Sequence, residues 1–506
     1  MNTTPPLTTN TDTNTNTTTP LTTTSPDTAP TANRSNTFAL VLTIVVIEFV
    51  SGFTQGFYEP LIPKFGETLG VDASGLTLFN IIPTAVAALF VPVLTRLGDI
   101  KGYRVVLRAV ISMVFVATLI IWAGVAAGSW SLVLLGRLLN GPIAVWLPLH
   151  IALVHAKTNG KQATSAVSAI IATLTVGTVA GTASSGFIFR AFGALAQTVP
   201  VVPALIAVAV LLVFIVMPEF VSGADPYIDI KGFALLGLVM FLTIIGFVEV
   251  VEGGVNSGIG AVALVAAGLV AAVWYRYEKH TEHPAIDVRV LFSRELGPLY
   301  LSAIAYGAVF YGFLAPLATF LSNDDYGYGY QPEAISIAQT LTLVATVIAA
   351  LLLPVMIGKL GAKLGLISGF VAAVIGFVLW TELTNSILKL GLFIVLVGLG
   401  FGVIGAAIPV IIPQRAPIGT HGIATGLFNS AQTLGGALGG GLFLSLLRVG
   451  ATESGEITAK GYDVVWLTSA GILALGLLVV VRLLSRERRS TEQNVKNNVD
   501  SERIEL

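Results

Sequence analysis

The sequence predicts an all-α polytopic membrane protein built from two related halves. Three observations carry this. The composition is too apolar for water: 54% of the 506 residues are hydrophobic and only 11% are charged, where a soluble domain carries roughly 25% charged residues. Fourteen apolar runs reach the ~20-residue length that crosses a bilayer. A polar loop near residue 100 also returns about half a chain later.

The mean hydropathy is +0.85, so most of this surface must face lipid. A net charge of −1 gives no reason to expect nucleic acid as a partner. The chain has no cysteine, which excludes disulfides, zinc–thiolate sites and cysteine nucleophiles. It contains no phosphate-binding glycine loop, and no metal or cofactor is expected. Residues 1–36 (MNTTPPLTTNTDTNTNTTTPLTTTSPDTAPTANRSN) are rich in Thr, Asn and Pro and nearly uncharged. They cannot bury enough apolar surface to offset the entropy of ordering, so a disordered cytoplasmic tail is expected. They also lack the basic and apolar regions of a signal peptide.

The apolar runs lie at about 38–58, 76–96, 104–126, 131–155, 163–189, 198–217, 231–251, 257–275, 297–320, 334–356, 363–382, 389–412, 421–447 and 463–484. Their interiors are rich in Gly and other small residues, as close helix packing in lipid requires. Only a short VVEGGVNSGIG turn separates the seventh from the eighth, and twelve spans plus a re-entrant hairpin is the competing count. With the N-terminus inside, Lys and Arg near the spans fall 19 on the inner side and 5 on the outer. That bias places both termini in the cytoplasm of a plasma-membrane protein and requires an even number of spans.

The loop TRLGDIKG (95–102) is echoed by GKLGAKLG (358–365), and GTVAGTASSG (177–186) is echoed by GGALGGGLF (435–443). Two halves on one plan around a midplane site is transporter architecture. TRLGDIKGYRVVL is similar to the inner-loop signature of the major facilitator superfamily, G-x-L-x-D-x-x-G-R/K, with Thr95 at its first Gly. GRLLNG (136–141) resembles that family's fourth-helix motif with a buried Arg. GTVAGTASSG resembles its fifth-helix antiporter motif, with Thr182 in place of the usual Pro. Fourteen spans, EKHTEHPAIDVRVLF (278–292) and IATGLFNSAQTLGGALG (423–439) resemble the fourteen-helix drug:proton antiporter branch.

The resemblance covers about residues 38 to 485. It implies two six-helix bundles, 37–217 and 296–485, with two extra central helices and an inner linker over 218–295. Residues 486–506 would form a cytoplasmic tail. It implies a monomeric secondary active transporter, not an enzyme, exchanging protons for amphipathic or cationic small molecules by alternating access. Branch members carry an Asp in the first span where this chain has Thr54. Import or export of a native metabolite or lipid, with different coupling, is the alternative. A membrane-embedded transferase would need His, Asp and Arg clustered at one interface, and the short loops offer no such cluster.

In the family, the loop carboxylate meets a helix N-terminus of the other half and holds the cytoplasmic gate. Gly98, Asp99, Gly102 and Arg104 take that role here. The glycines permit tight turns, and in the outward-open state Asp99 is expected beside the thirteenth span's start near Gly422, where unpaired N–H groups attract negative charge. A solvated Asp99 paired with Arg104 is the alternative.

Ionisable groups within spans mark functional sites. At 100° per residue, Glu48, Gly52, Gln55, Gly56 and Glu59 fall within an arc of about 100° on the first span. Phe49, Phe53 and Phe57 form an adjoining stripe. Such a face suits a cavity wall that takes a cation or proton beside aromatic rings. The expected substrate cavity is therefore Glu48, Gln55, Phe49, Phe53 and Arg137, and the expected proton-coupling set is Glu48, Glu59 and Arg137. The family links this Arg to proton transfer, and Arg137, always charged, is expected to act on Glu48. Gly177, Gly181 and Gly186 form the antiporter motif, expected to let the fifth helix pack closely and rock against the other half. For Gly186 alone, plain packing is the favoured reading. His150 and His155 are expected to bond carbonyls freed by Pro142 and Pro148 rather than to relay protons. Glu249 and Glu252 are read as solvated.

Overall fold

Helix breaks follow local chemistry. Asp72 caps the helix after it by accepting from the Gly75 N–H at 2.8 Å, and Ser129 accepts from Leu132 at 3.4 Å; both satisfy an orphan donor of the first turn. Two of the glycines at which the chain turns through positive φ, where a side chain is strained, are Gly102 (100°) and Gly361 (78°).

A computed structural model describes residues 34–157, 160–219, 228–252, 258–282, 284, 286, 288–381, 386–415, 421–452 and 456–504. The regular structure among them is helical. The long elements are α1 (Arg34–Phe57), α2 (Ala73–Lys101), α3 (Tyr103–Ala126), then α4 in two pieces, Trp130–Asn140 and Trp146–Lys157, joined by the 3-10 turn Gly141–Val145. They continue with α5 (Gly160–Phe192), α6 (Val201–Val216), α7 (Ile230–Glu252), α8 (Gly258–His280) and a broken α9, Gly297–Gly312 and Leu314–Ser322. The rest are α10 (Pro332–Lys359), α11 (Lys363–Trp380), α12 (Ile387–Arg415), α13 (His421–Leu447) and α14 (Ala459–Ile504). A short turn, Glu59–Leu61, and the helix Ile62–Leu69 extend α1 toward α2.

All fourteen predicted runs lie on these helices. Eleven helices among the described residues are long and apolar enough to cross a membrane, and twelve if the two parts of α2, bent by 40°, count as one span. The two others are α7, itself 23 residues long, and α13, which dilutes its apolarity with Gly, Gln and Ser. The chain is thus a multi-pass membrane protein with eleven to twelve clear spans among the described residues.

Helix α1 begins at Arg34, inside the predicted tail, and α14 runs on to Ile504 across the predicted C-terminal one. The tail through Asn33, the 253–257 turn, and His283, Ala285 and Asp287 of the predicted linker lie outside the described residues, as do the side chains of His155 and Glu252.

Glycine contacts reveal the two-fold plan. A methyl on Gly177 or Gly181 of α5 would collide with the carbonyls of Phe49 and Phe53 on α1, and one on Gly435 or Gly439 of α13 with those of Ile304 and Ala308 on α9. Reciprocally, Gly52 abuts Leu174, and Gly307 abuts Gln432. The same parallel helix pair is built twice, from the segments the sequence repeat relates. Small residues allow this backbone approach, which drives helix association where lipid removes the hydrophobic incentive.

The halves meet along α2 against α13 and α5 against α10. Gly440 lies on Ile81 and Gly436 on Thr84. The Gly186 N–H donates to Ser336 Oγ at 3.0 Å, and a methyl there would strike Pro332. Two acid–base pairs stand at corresponding ends of these contacts: Asp72 with Arg448 at 3.4 Å and Glu333 with Arg190 at 3.7 Å. Both lie on the side away from the 95–108 loop, which is therefore the closed side in this conformation.

Candidate functional site

Between the halves lies a cavity of ≈ 410 Å³, within the ~300–1,000 Å³ common for small-molecule sites. The N-terminal half contributes Gln55 and Glu59, Asn80, Pro83 and Thr84 from α2, Arg137, Asn140 and Ile143 from α4, and Thr175, Thr178 and Thr182 from α5. The C-terminal half contributes Phe310, Tyr311, Phe313, Gln339, Thr342, Thr346, Phe401 and Thr433. One wall is thus mainly amide and hydroxyl, the other more aromatic.

Arg137 organises the polar wall. It is 7% exposed; its Nε donates to the Phe79 carbonyl at 2.8 Å and its Nη2 to Asn80 Oδ1 at 3.2 Å. Asn80 Nδ2 passes the link on to Glu59 Oε2 at 2.9 Å. The guanidinium also stacks 4.0 Å from the Phe79 ring and 5.6 Å from that of Tyr58. One amide therefore bridges the carboxylate and the cation, so the site's two charges answer each other.

Of the five predicted cavity residues, Gln55 and Arg137 line it, with Gln55 Nε2 donating to Ser51 Oγ at 3.2 Å. Glu48, Phe49 and Phe53 do not. Phe49, Phe53 and Phe57 stack on one another at 6.4 and 5.4 Å as packed core. Near the middle of that stripe, Phe53 points about 160° away from Gln55 around the helix, and the cavity's rings come instead from the other half. Glu48 is fully buried and meets His150 of α4, Oε1 to Nδ1, at 2.6 Å.

This corrects two expectations. Arg137 acts with Glu59 rather than Glu48, because α4 enters the membrane from the opposite side to α1, so its early residues lie level with the end of α1. And His150 bonds a carboxylate instead of a carbonyl freed at a proline. Both were within reach of the sequence had the alternating direction of successive spans been used to compare depths.

In the gate loop, Asp99 Oδ1 accepts from the Tyr103 hydroxyl at 2.6 Å, a contact the sequence reading did not anticipate, and Gly102 makes the turn. Gly98 does not turn; it is helical, and its bare Cα gives room to Leu149, whose Cδ2 would lie 2.6 Å from an added methyl. The antiporter motif divides differently from the sequence reading. Gly177 and Gly181 pack within the N-terminal half, while Gly186 is the member that touches the other half. Thr182, in place of the motif's Pro, donates to the Gly56 carbonyl of α1 at 3.2 Å. Among the described residues, no group of three or more His, Asp or Glu side chains is placed to hold a metal ion.

Comparisons with known proteins agree with this architecture. Residues 44–440 match the model of the Major Facilitator Superfamily. The chain is 24% identical over 317 residues to a uridine/deoxyuridine transporter of Lactococcus lactis subsp. cremoris (strain MG1363), a match covering 61% of this chain and 65% of that protein. Among solved structures it resembles the nucleoside transporter NupG (15% identity, TM-score 0.57, covering 88% of this chain and 99% of that one). It also resembles the POT-family transporter PepTSo (14%, 0.65, 89% and 98%) and the human organic anion transporter MFSD10 (14%, 0.56, 88% and 99%). At such identities these structures bear on the fold alone. The match to the uridine/deoxyuridine transporter spans just under two thirds of that protein's length. Fold, repeat and family model agree, and the chain belongs to the Major Facilitator Superfamily.

Proposed function

We propose that this chain transports a neutral, polar native metabolite of the nucleoside class, by alternating access and coupled to protons. The observation that carries the reading is the cavity's charge balance. Its only carboxylate among the described lining residues, Glu59, is tied through Asn80 to Arg137. Little net charge is left to attract a cationic drug, so efflux of amphipathic cations is not the preferred function. What remains is a wall of Gln, Asn and Thr suited to hydroxyls and carbonyls, facing Phe310, Tyr311 and Phe401 on which a flat heteroaromatic base can stack. The uridine/deoxyuridine transporter and NupG are similar proteins whose substrates have this chemistry.

Proton coupling is proposed at Glu59, where a proton gained or lost changes the pull on Asn80 and Arg137 and so biases one conformation. Closure on the loop side is proposed to use Asp99. The partner proposed for it is the start of α13, the helix that packs against α2 across the two halves. A helix start attracts a carboxylate there. A plasma-membrane monomer with both termini cytoplasmic fits the Lys/Arg bias.

The test is uptake of tritiated uridine into vesicles reconstituted with the full chain under an imposed pH gradient, with ethidium as competitor. Accumulation that unlabelled nucleosides compete away, and that collapses with a protonophore, supports the reading. Transport of ethidium without uridine restores the drug-efflux function.

A further inference from the structure

Glu48 and His150 are a buried acid–base pair that the cavity does not use. Both side chains are 0% exposed and joined at 2.6 Å, and their other polar atoms, Glu48 Oε2 and His150 Nε2, have no hydrogen-bond partner. Thr54 Oγ1 of α1, and Asn140 Nδ2 and Trp146 Nε1 of α4, are also buried without one. Unsatisfied polar atoms are rare in native interiors, and each calls for a cause such as an exchangeable proton, an internal water or an ion. In the pair, two of them belong to groups already joined to each other, which points to a common cause there.

Among the described side chains, no other charged group pairs with Glu48 or His150. Helix α6 carries no titratable residue; α5 carries Arg190 at its far end and Lys161 at its start, and α4 carries Lys157 at its exposed end, His155, whose side chain lies outside the described residues, and Arg137 beside the cavity. On α3, Arg104 lies near the loop, and Arg108 donates to the Phe214 carbonyl at 2.7 Å. On α2, Arg96, Asp99 and Lys101 lie at the loop end. None of the described side chains among these bonds to Glu48 or His150. Whether written as acid with imidazole or carboxylate with imidazolium, the pair holds the same one exchangeable proton. Adding or removing it while the site is dry leaves an uncompensated buried charge, which is strongly disfavoured.

We infer that Glu48 and His150 form a second proton-binding site, separate from the substrate cavity, which keeps its proton while occluded and exchanges it when α1 and α4 admit water. Glu48 lies about 10 Å along α1 from Gln55 toward the basic loops, so the site sits below the cavity on the side that opens to deliver the proton. The inference rests on the transporter reading and not on the identity of the substrate.

The first experiment is infrared difference titration of the purified full chain across the pH range in which it stays folded. Wild type shows a carboxylic-acid band from Glu59, removed by Glu59→Gln, and a second from Glu48 that titrates. Glu48→Gln, which keeps the shape and one hydrogen bond to the ring, removes the second band alone. His150→Gln moves that band's midpoint by about tenfold or more in proton concentration, the effect of losing a charge partner in contact. A Glu59→Gln spectrum with no titrating buried carboxyl overturns the inference, as does a Glu48→Gln spectrum that keeps both bands or a His150→Gln midpoint equal to wild type. In vesicles, Glu48→Gln retains uridine counterflow at equal pH and loses accumulation driven by a pH gradient; undiminished gradient-driven accumulation overturns it. If wild type fails to exchange uridine, only the nucleoside reading falls, and the infrared result still decides this one.

Discussion

Glu48 and Glu59 stand eleven residues apart on one face of α1, yet they live in opposite environments. Glu59 reaches the cavity between the halves and answers a cation through Asn80. Glu48 is sealed against a single His with its second oxygen bare. The difference teaches that a stripe on a membrane helix is not a site. The stripe leaves the cavity where the lower piece of α4 closes over it, below the 3-10 turn Gly141–Val145. There Gly141 packs on Val86 and a methyl would lie 2.8 Å from the Pro83 carbonyl.

Substitutions at six positions sharpen or break that contrast. The largest effect belongs to Arg137. Replacing it with Leu removes two buried hydrogen bonds and leaves Glu59 unanswered, so the initial rate of uridine uptake should fall by about a hundredfold or more, and Lys, lacking the planar fork, should not restore it. An uptake rate near wild type in Arg137→Lys would show that charge alone suffices.

Next is Glu48→Leu, which leaves His150 alone in a dry site and should lower stability by about 3 kcal/mol in detergent unfolding. Glu59→Leu, in contact with the cavity, should lose about 1 kcal/mol. The reverse order would erase the distinction between the two carboxylates. Gly181→Leu drives a side chain into the Phe53 carbonyl within one half and should cost about 1–3 kcal/mol of stability. Gly186→Ala should instead leave stability largely intact and open the closed side, read as weaker cross-linking between positions 190 and 333.

The smallest effect is Asp72→Asn. Its contact with Arg448 is partly exposed on both partners, and such pairs contribute about 0–1 kcal/mol. The amide still caps α2, so unfolding should shift by less than about 1 kcal/mol, with a modest change in the open–closed balance.

Legibility in the sequence tracked how local the cause was. All fourteen apolar runs lie on helices, because apolarity and length act within a segment. The repeat was legible in GTVAGTASSG and GGALGGGLF, whose glycines take equivalent carbonyl contacts in both halves. Gln55, Glu59 and Arg137 were legible as functional candidates since a polar group in a span stands out. The sequence reading did not supply Asn80, a small amide in an apolar run that nonetheless bridges the two charges. It also assigned the aromatic wall to α1, when it comes from α9 and α12, because rings are common throughout these spans and nothing local says which face a cavity.

What this sequence settled by itself is the class of structure: a bilayer leaves a backbone few ways to satisfy its N–H and C=O groups, so apolar length alone commits the chain to packed helices. The pairing of the charges was left to the tertiary structure. Which carboxylate meets Arg137 and which meets His150 depends on the depth and rotation of α1, α2 and α4 relative to one another, and those are set by glycine contacts between segments far apart in the chain.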